Sequence, residues 1–273
     1  MGISILVLTK NEEKIVEACL ASAKWANELI VVDNNSTDKT TEIAKKYTIK
    51  IFQKEFEGYD KERNFALGKA TENWVFYLDA DERITAQLRE EIEQATSNKQ
   101  QATSVSAVPR KNILLGKWQR HGGWYPDYQI RLFKKKALAG WRGELHEQPE
   151  FTGKLGYLAN PLIHLTHRDI TSMMEKTAKW APIEAKLLYQ ANHPKMSWWR
   201  FARIIKTEIL KRFLRGGWRD GTRGWIEIFY QSFSLFITYV KLWEMQRSEK
   251  LETTYSKIDE ELIKSGFNDN LQV

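Results

Sequence analysis

The sequence predicts an α/β fold, a mixed and mostly parallel sheet flanked by helices, followed by a helical C-terminal region. Three observations carry that expectation. Apolar runs at residues 3–9, 28–33 and 74–78 are continuous rather than alternating, as strands covered on both faces must be. Stretches of helical periodicity separate them, and parallel strands require such crossovers. Beyond about Ile170 the strand signals stop. The 273 residues are enough for one large core, or for a core and an appendage.

The elements follow in order. Residues 3–9 form a first strand, too short and too lacking in a basic leader to be a signal peptide. Residues 11–24 read as a helix with Ile15, Ala18, Cys19 and Ser22 on one face. After the strand at 28–33, Ser36 or Thr37 caps a helix running to about Lys46. A short strand at 49–52, a helix at 59–70 and the strand at 74–78 follow. Thr85 caps the next helix, to about Ala95, and Asn98-Lys99-Gln100-Gln101 is a polar loop. The grain then changes. Residues 104–109, 112–118 and 128–133 are short β-like pieces with Gly and Pro between them, a mixed extension of the sheet. The domain boundaries expected are 1–168 for the α/β part and 169–273 for the helical part.

The lone cysteine, Cys19, excludes a disulfide framework and a cysteine-based zinc site, and it fits a packed core thiol. The formal charge of +7 is localised. Residues 195–250 hold twelve Lys or Arg against five Asp or Glu, and the remainder is balanced, so this segment carries any contact with an anionic partner. Within 198–213, Trp198, Phe201, Ala202, Ile205, Ile209 and Phe213 fall on one stripe, with Arg200, Arg203 and Lys211 mostly off it. That pattern describes a helix lying in a membrane interface, or an ordinary surface helix packed on the domain. Residues 225–243 are apolar on nearly all sides and approach the length of a span. Glu227, Gln231 and the aromatics favour a dipping or core-buried helix over a full span.

The chemistry begins at Trp74-Val75-Phe76-Tyr77-Leu78-Asp79-Ala80-Asp81-Glu82-Arg83. The run places Asp79 and Asp81 where a buried strand opens onto the carboxyl edge of the sheet, the edge at which open α/β sheets bind ligands. Two hard carboxylates there can share a divalent metal with a diphosphate. Acids also follow strands simply to cap the next helix. Three further segments reach the same edge: Thr9-Lys10-Asn11-Glu12-Glu13, Asp33-Asn34-Asn35-Ser36-Thr37-Asp38 and Gly58-Tyr59-Asp60-Lys61-Glu62-Arg63-Asn64. Together they supply acceptors for a base and ribose, an arginine for phosphate and paired acids for a metal. Singly, Asn11 and Ser36 can be helix caps and Arg63 a surface cation. His164 and His167 stand close together without a nearby third ligand, so they are read as ordering a loop or filling the core rather than binding zinc.

This order of motifs resembles the inverting family 2 glycosyltransferases, which have the GT-A fold. Gly122-Gly123-Trp124-Tyr125-Pro126-Asp127, Arg131-Leu132-Phe133 and Leu145-His146-Glu147 look like the branch that adds glucose in β-1,4 linkage to the lipopolysaccharide inner core. The resemblance implies roles. Asp33 and Asn34 meet the nucleobase and ribose of a UDP-hexose, with Thr9 and Glu12 alongside; many relatives carry an acid where Asn34 stands. Arg63 contacts the nucleotide, and Asp79 the ribose or metal. Asp81 ligates Mg²⁺ or Mn²⁺, and Arg131 adds to the stabilisation of the leaving group. Trp124, Tyr125, Asp127 and His146 belong to the acceptor side, and Trp141 adds a flat face for a sugar ring. Glu147 takes the acceptor proton, with Glu144 as its competitor; alternatively Glu147 pairs with an arginine and only holds its loop. The partners implied are a nucleotide sugar, a glycolipid acceptor and an anionic membrane surface, with no nucleic acid. The place implied is the cytoplasmic face of the inner membrane, peripheral or monotopic, through basic aromatic helices at about 195–247.

Rival functions have sequence signatures too. A nucleic-acid binder would use the basic tail, yet no reader motif is present. A sugar nucleotidyltransferase would place a Gly-rich basic loop after the first strand, where this chain has Asn11-Glu12-Glu13. A non-catalytic member is disfavoured because Asp79, Asp81 and Glu147 are intact.

Overall fold

A computed structural model describes residues 2–97, 103–143 and 147–267, which form two compact units, Met1–Asp169 and Ile170–Val273. The polar loop expected at 98–101 lies outside the described residues.

The first unit begins β1 (Ile3–Thr9), α1 (Val16–Ala23), β2 (Glu28–Asp33), α2 (Thr40–Ala44), β3 (Ile51–Gln53), α3 (Tyr59–Lys69) and β4 (Trp74–Asp79). It continues through β5 (Glu82–Arg83), α4 (Ala86–Ser97), β6 (Thr103–Leu114), β7 (Lys117–Trp118), β8 (Asp127–Lys134), β9 (Leu138–Arg142), β10 (Gln148–Phe151), β11 (Lys154–Tyr157) and β12 (Leu162–Leu165). The main sheet runs β3-β2-β1-β4-β8-β6-β12-β5, with β7 and β11 also on β6. β1 to β4 are mutually parallel, and β8 runs antiparallel between β4 and β6. This is the mixed, mostly parallel sheet flanked by helices that the alternation predicts.

The period of two explains the continuous apolar runs. Ile5, Val7, Phe76 and Leu78 join Leu20, Leu88 and Ile92 in one core, while Leu6, Val75 and Tyr77 face Ala66, Phe133 and Trp141 in another. Parallel register sets Thr9 beside Asp33 and Leu8 beside Asp79, so three strands end together.

Several element boundaries differ from those the sequence predicts. The first helix begins at Val16 and not at Asn11, because the amides of Asn11, Glu12 and Glu13 donate to Ser36, Thr40 and Asp38 instead of entering a helix. Ser36 does not cap α2; its hydroxyl donates to Asp33, and Asp38 takes the Thr40 amide. The pieces expected at 104–109 and 112–118 are largely one twelve-residue strand, β6. Pro109 fits inside it because it falls between the end of the β11 pairing at Ala107 and the start of the β12 pairing at Arg110, where an amide has no ladder partner.

The second unit contains α5 (Ile170–Gln190), α6 (Trp198–Leu214), α7 (Thr222–Met245) and α8 (Leu251–Lys264). Ala185, Met196 and Leu242 form its small core, with Leu188, Phe201, Ile204 and Tyr239 against them. The apolar stripe of α6 is therefore partly spent on protein: Phe201 meets Phe236 of α7 at 5.7 Å. Among the described residues no helix is long and apolar enough to cross a membrane.

At the end of the sheet away from the motif loops, Glu28 ties four segments together. It accepts from Ser4 and Lys50, and from the amide and hydroxyl of Thr71 at 2.8 Å each. Burial raises its pKa, but these donors outweigh burial and hold it at about 2. A depressed carboxylate pKa stabilises the fold above its unfolded value and loses that contribution as pH falls from about 4.5 toward 2. Glu28→Gln should thus lower unfolding free energy by about 2–3 kcal/mol at pH 7. The deficit relative to wild type should shrink between pH 5 and pH 3 in urea titrations, and a constant deficit would contradict the assignment.

Candidate active site

The loops after β1 and β2 are locked reciprocally. Amides of residues 11, 12 and 13 donate to side chains of Ser36, Thr40 and Asp38, while amides of Thr37 and Lys39 donate to Asn11 Oδ1 and Glu13 Oε2. Lys10 Nζ adds bonds to the carbonyls of Asn34 and Asn35. The two motifs are thus each other's caps, which accounts for their residue types. Asp33 is fully buried, its carboxylate accepting from Thr9 Oγ1 at 3.0 Å, Ser36 Oγ at 2.6 Å and Ser36 N at 2.8 Å. Asn34 turns inward: its amide donates to the buried Glu62 at 2.7 Å. An acid at position 34 would face that carboxylate directly, which explains why this chain has Asn there. Glu12, by contrast, reaches the rim, where burial raises its pKa against the pull of Arg168 at 4.0 Å.

The carboxyl end of β4 carries a buried charge cluster. Arg131, from β8, bonds Asp79 and Glu82, the latter at 2.6 Å. Arg63, from α3, donates to Asp79 at 3.2 Å and to Glu147 at 2.8 Å. Burial raises the Asp79 pKa, but Arg131 and Arg63 override it and hold Asp79 ionised. Arg131 in turn stays protonated, since Asp79 and Glu82 outweigh its desolvation. Trp141, expected as a sugar platform, is instead 6% exposed. Its ring lies 4.8 Å from the Arg63 guanidinium and 5.0 Å from Tyr77, so it supports the arginine from within the core. Asn64 fixes it there by pairing with both the amide and the carbonyl of Trp141, at 2.8 and 2.9 Å.

A second arm leads to Asp81. Arg110 contacts Glu82 at 3.7 Å and Asp127 at 2.7 Å. Asn112 donates to Asp127 at 3.0 Å and to the Trp124 carbonyl at 3.1 Å. Its amide nitrogen being committed to two acceptors, its Oδ1 must face His164 Nδ1 at 2.6 Å, so Nδ1 carries the hydrogen. His164 Nε2 lies 3.2 Å from Asp81 Oδ2, close enough to donate to that carboxylate when Nε2 carries a hydrogen. Asp127, expected on the acceptor side, is thereby part of the charge chain; burial raises its pKa, and Arg110, Asn112 and Gln129 lower it further than that. Trp124 lies 5.7 Å from His167, and Tyr125, 37% exposed, lies 5.3 Å from Trp118. His146 and the competing acid Glu144 lie outside the described residues.

Asp79, Asp81, Arg63, Arg131 and Glu147 are thus brought together, with Thr9, Glu12 and Asp33 on the neighbouring strand ends. Glu82, Arg110, Asn112 and the partnership of His164 with Asp81 are additions that the sequence did not announce. Their signal is the period-two spacing of Arg110 and Asn112 on β6, and the acid that closes the Asp79-Ala80-Asp81-Glu82 run. Among the described residues no cluster of three or more His, Cys, Asp or Glu could cage a metal by itself. Among the described residues, two buried guanidinium nitrogens, Arg63 Nη1 and Arg131 Nε, lack an acceptor.

Similarity to known proteins extends over most of the chain. Residues 4–151, more than half of it, match Glycosyl transferase family 2. An uncharacterized glycosyltransferase of Rickettsia typhi is 28% identical over 89% of this chain and 87% of its own length. The lipopolysaccharide core biosynthesis glycosyltransferase LpsC of Rhizobium meliloti is 24% identical over 89% and 93%. A solved mannosyltransferase from Pyrobaculum calidifontis, in complex with GDP-Man and Mn²⁺, has a TM-score of 0.48 at 13% identity over 96% of this chain and 79% of its own.

The two arms differ in what they contribute to stability. Arg131→Leu removes the arginine shared by Asp79 and the buried Glu82, leaving only Arg63 at 3.2 Å and Arg110 at 3.7 Å, and should lower unfolding free energy by about 3–5 kcal/mol in urea titrations. Asp81→Asn, at the half-exposed rim, should cost less than about 1 kcal/mol. Equal effects would show that the buried cluster is not what holds this edge together.

Proposed function

This chain belongs to glycosyl transferase family 2, and on that footing we propose that it is an inverting hexosyltransferase using Mg²⁺ or Mn²⁺. The donor is a nucleotide sugar, UDP-hexose, and the acceptor is a lipid-anchored saccharide such as a lipopolysaccharide core. The observation that carries this reading is the unbroken chain of polar contacts from Asp81 through His164, Asn112, Asp127, Arg110, Glu82, Arg131, Asp79 and Arg63 to Glu147. It sets an outward acid at one end and a second acid at the other, on the rim where ligands of open α/β sheets bind.

The residues fit a divalent cation. A carboxylate and an imidazole lone pair facing each other at 3.2 Å repel unless a proton or a cation lies between them. Asp81 and His164 would hold the ion, with diphosphate oxygens completing its shell. Asp79 is committed to Arg63 and Arg131, so its role is to orient these arginines. Charge balance is compatible with this: three guanidiniums face five carboxylates along the chain of contacts, and a cation offsets part of the charge a diphosphate adds. Bound there, the ion supplies Lewis-acid stabilisation of the departing nucleoside diphosphate.

The chain's own residues supply the rest. The orphan donors Arg63 Nη1 and Arg131 Nε match the charge that grows on the leaving diphosphate. Inversion in one displacement requires a base on the face opposite the leaving group, and Glu147 takes the acceptor proton as its hydroxyl attacks the anomeric carbon. The Arg63 bond at 2.8 Å aims that carboxylate. Trp124 and Tyr125 flank the acceptor. Such an acceptor sits in a membrane leaflet, which puts the enzyme at the cytoplasmic face of the inner membrane.

Glu147→Gln should keep UDP binding within about twofold of wild type by calorimetry in Mn²⁺, while transfer falls by about 10²–10⁴-fold. Unchanged transfer would remove Glu147 as the base and return the role to Glu144.

A further inference from the structure

Helix α7 is amphipathic in the reverse sense to a helix that packs on a protein core. Its buried residues are Gly224, Glu227, Ile228, Ser232, Thr238 and Leu242, most of them small or polar. Those polar groups are satisfied inside the unit: Thr238 donates to Glu184 at 2.9 Å, Ser232 to the Ile228 carbonyl at 2.8 Å, and Gln231 to Glu227 at 2.6 Å. Gly224 approaches the chain so closely that a Cβ there would lie 1.9 Å from the Gly217 carbonyl oxygen. The opposite arc is aromatic. Trp225, Phe229, Phe233, Phe236 and Trp243 fall within about 80° of one another at 100° per residue, and each is between 37% and 57% exposed. The arc continues onto neighbouring elements, since Trp225 lies 6.0 Å from Phe213 of α6, and Phe213 lies 6.2 Å from Trp218.

The geometry points to this aromatic arc as the surface that enters an anionic lipid interface, with α7 lying in the plane of the headgroups. Charge complementarity selects lipid as the occupant. Arg203, Lys206, Lys211, Arg215 and Arg219 are exposed in the segment adjoining the arc, and residues 195–250 hold the chain's whole positive surplus. Such a surface would repel a second copy of itself, whereas aromatic rings beside exposed bases match acyl chains beneath anionic headgroups. The sequence stripe on α6 adds only its end, Phe213, to this surface, because Phe201 is turned into the unit. The inference rests on, and deepens, the reading of a membrane-anchored acceptor: docking through α7 holds the enzyme in the plane where such an acceptor diffuses.

The test uses the full chain without substrate. Wild type should bind phosphatidylethanolamine–phosphatidylglycerol vesicles, and brominated acyl chains should quench its tryptophan fluorescence. The triple variant Phe229→Ser, Phe233→Ser, Trp243→Ser should bind at least about tenfold more weakly, with an unchanged melting curve by circular dichroism. Trp225→Phe with Trp243→Phe should keep binding and lose most of the quenching. Equal vesicle binding by the triple variant overturns the inference. So does a wild-type dimer, in the absence of lipid, that the triple variant converts to monomer, since a second copy would then cover the arc. UDP binding by the same variants reports separately on the transferase reading, which can fail while vesicle binding holds, and the reverse.

Discussion

The contact between the half-buried Asp79 and its two buried arginines is the constraint on which the site depends. Asp79 ends a central parallel strand, Arg131 comes from the antiparallel strand beside it, and Arg63 comes from the crossover helix. Desolvating these charges costs several kcal/mol per ion, and only mutual pairing offsets that. The cluster therefore tolerates one arrangement of three elements, and that arrangement determines where Glu147 and Glu82 stand. The aromatic faces of Trp141 and Tyr77 beneath Arg63 exclude water from the cluster and strengthen it.

From this cluster the acids at the two ends of the polar chain, Glu147 and Asp81, acquire different surroundings. Glu147 is held by an arginine. Asp81 faces an imidazole whose tautomer is dictated, through Asn112, by the Asp127 carboxylate and the Trp124 carbonyl. In the proposed mechanism the first end is the base beside a fixed positive charge, and the second shares a cation. The same polar chain that stabilises the sheet edge thus differentiates its two ends.

The fold was legible because continuous apolar runs and helical periodicity are local signals, and the strands of the first half appear within a residue or two of their expected places. The site was legible as a set of loops, since any parallel sheet brings those loops to one edge. Their internal wiring was not. Asn34 turns to Glu62 and Trp141 to Arg63 between residues far apart in the chain, and Ser36 turns to Asp33 across a tight loop; no periodicity records such contacts. Pro109 divides the apparent strand because its missing amide matters only relative to the neighbouring strands. The C-terminal aromatics were visible as a composition, but which helix spends them on packing depends on tertiary contacts such as that of Phe201 with Phe236.

The central claim is that Asp81 and His164 form half of a cation site which the nucleotide diphosphate completes. Electron paramagnetic resonance of Mn²⁺ titrated with the protein tests it directly. The account predicts weak Mn²⁺ uptake by the protein alone, uptake at least about tenfold tighter when UDP is present, and loss of that gain in both Asp81→Ala and His164→Ala. Tight Mn²⁺ binding without nucleotide, or an undiminished gain in those variants, would contradict it.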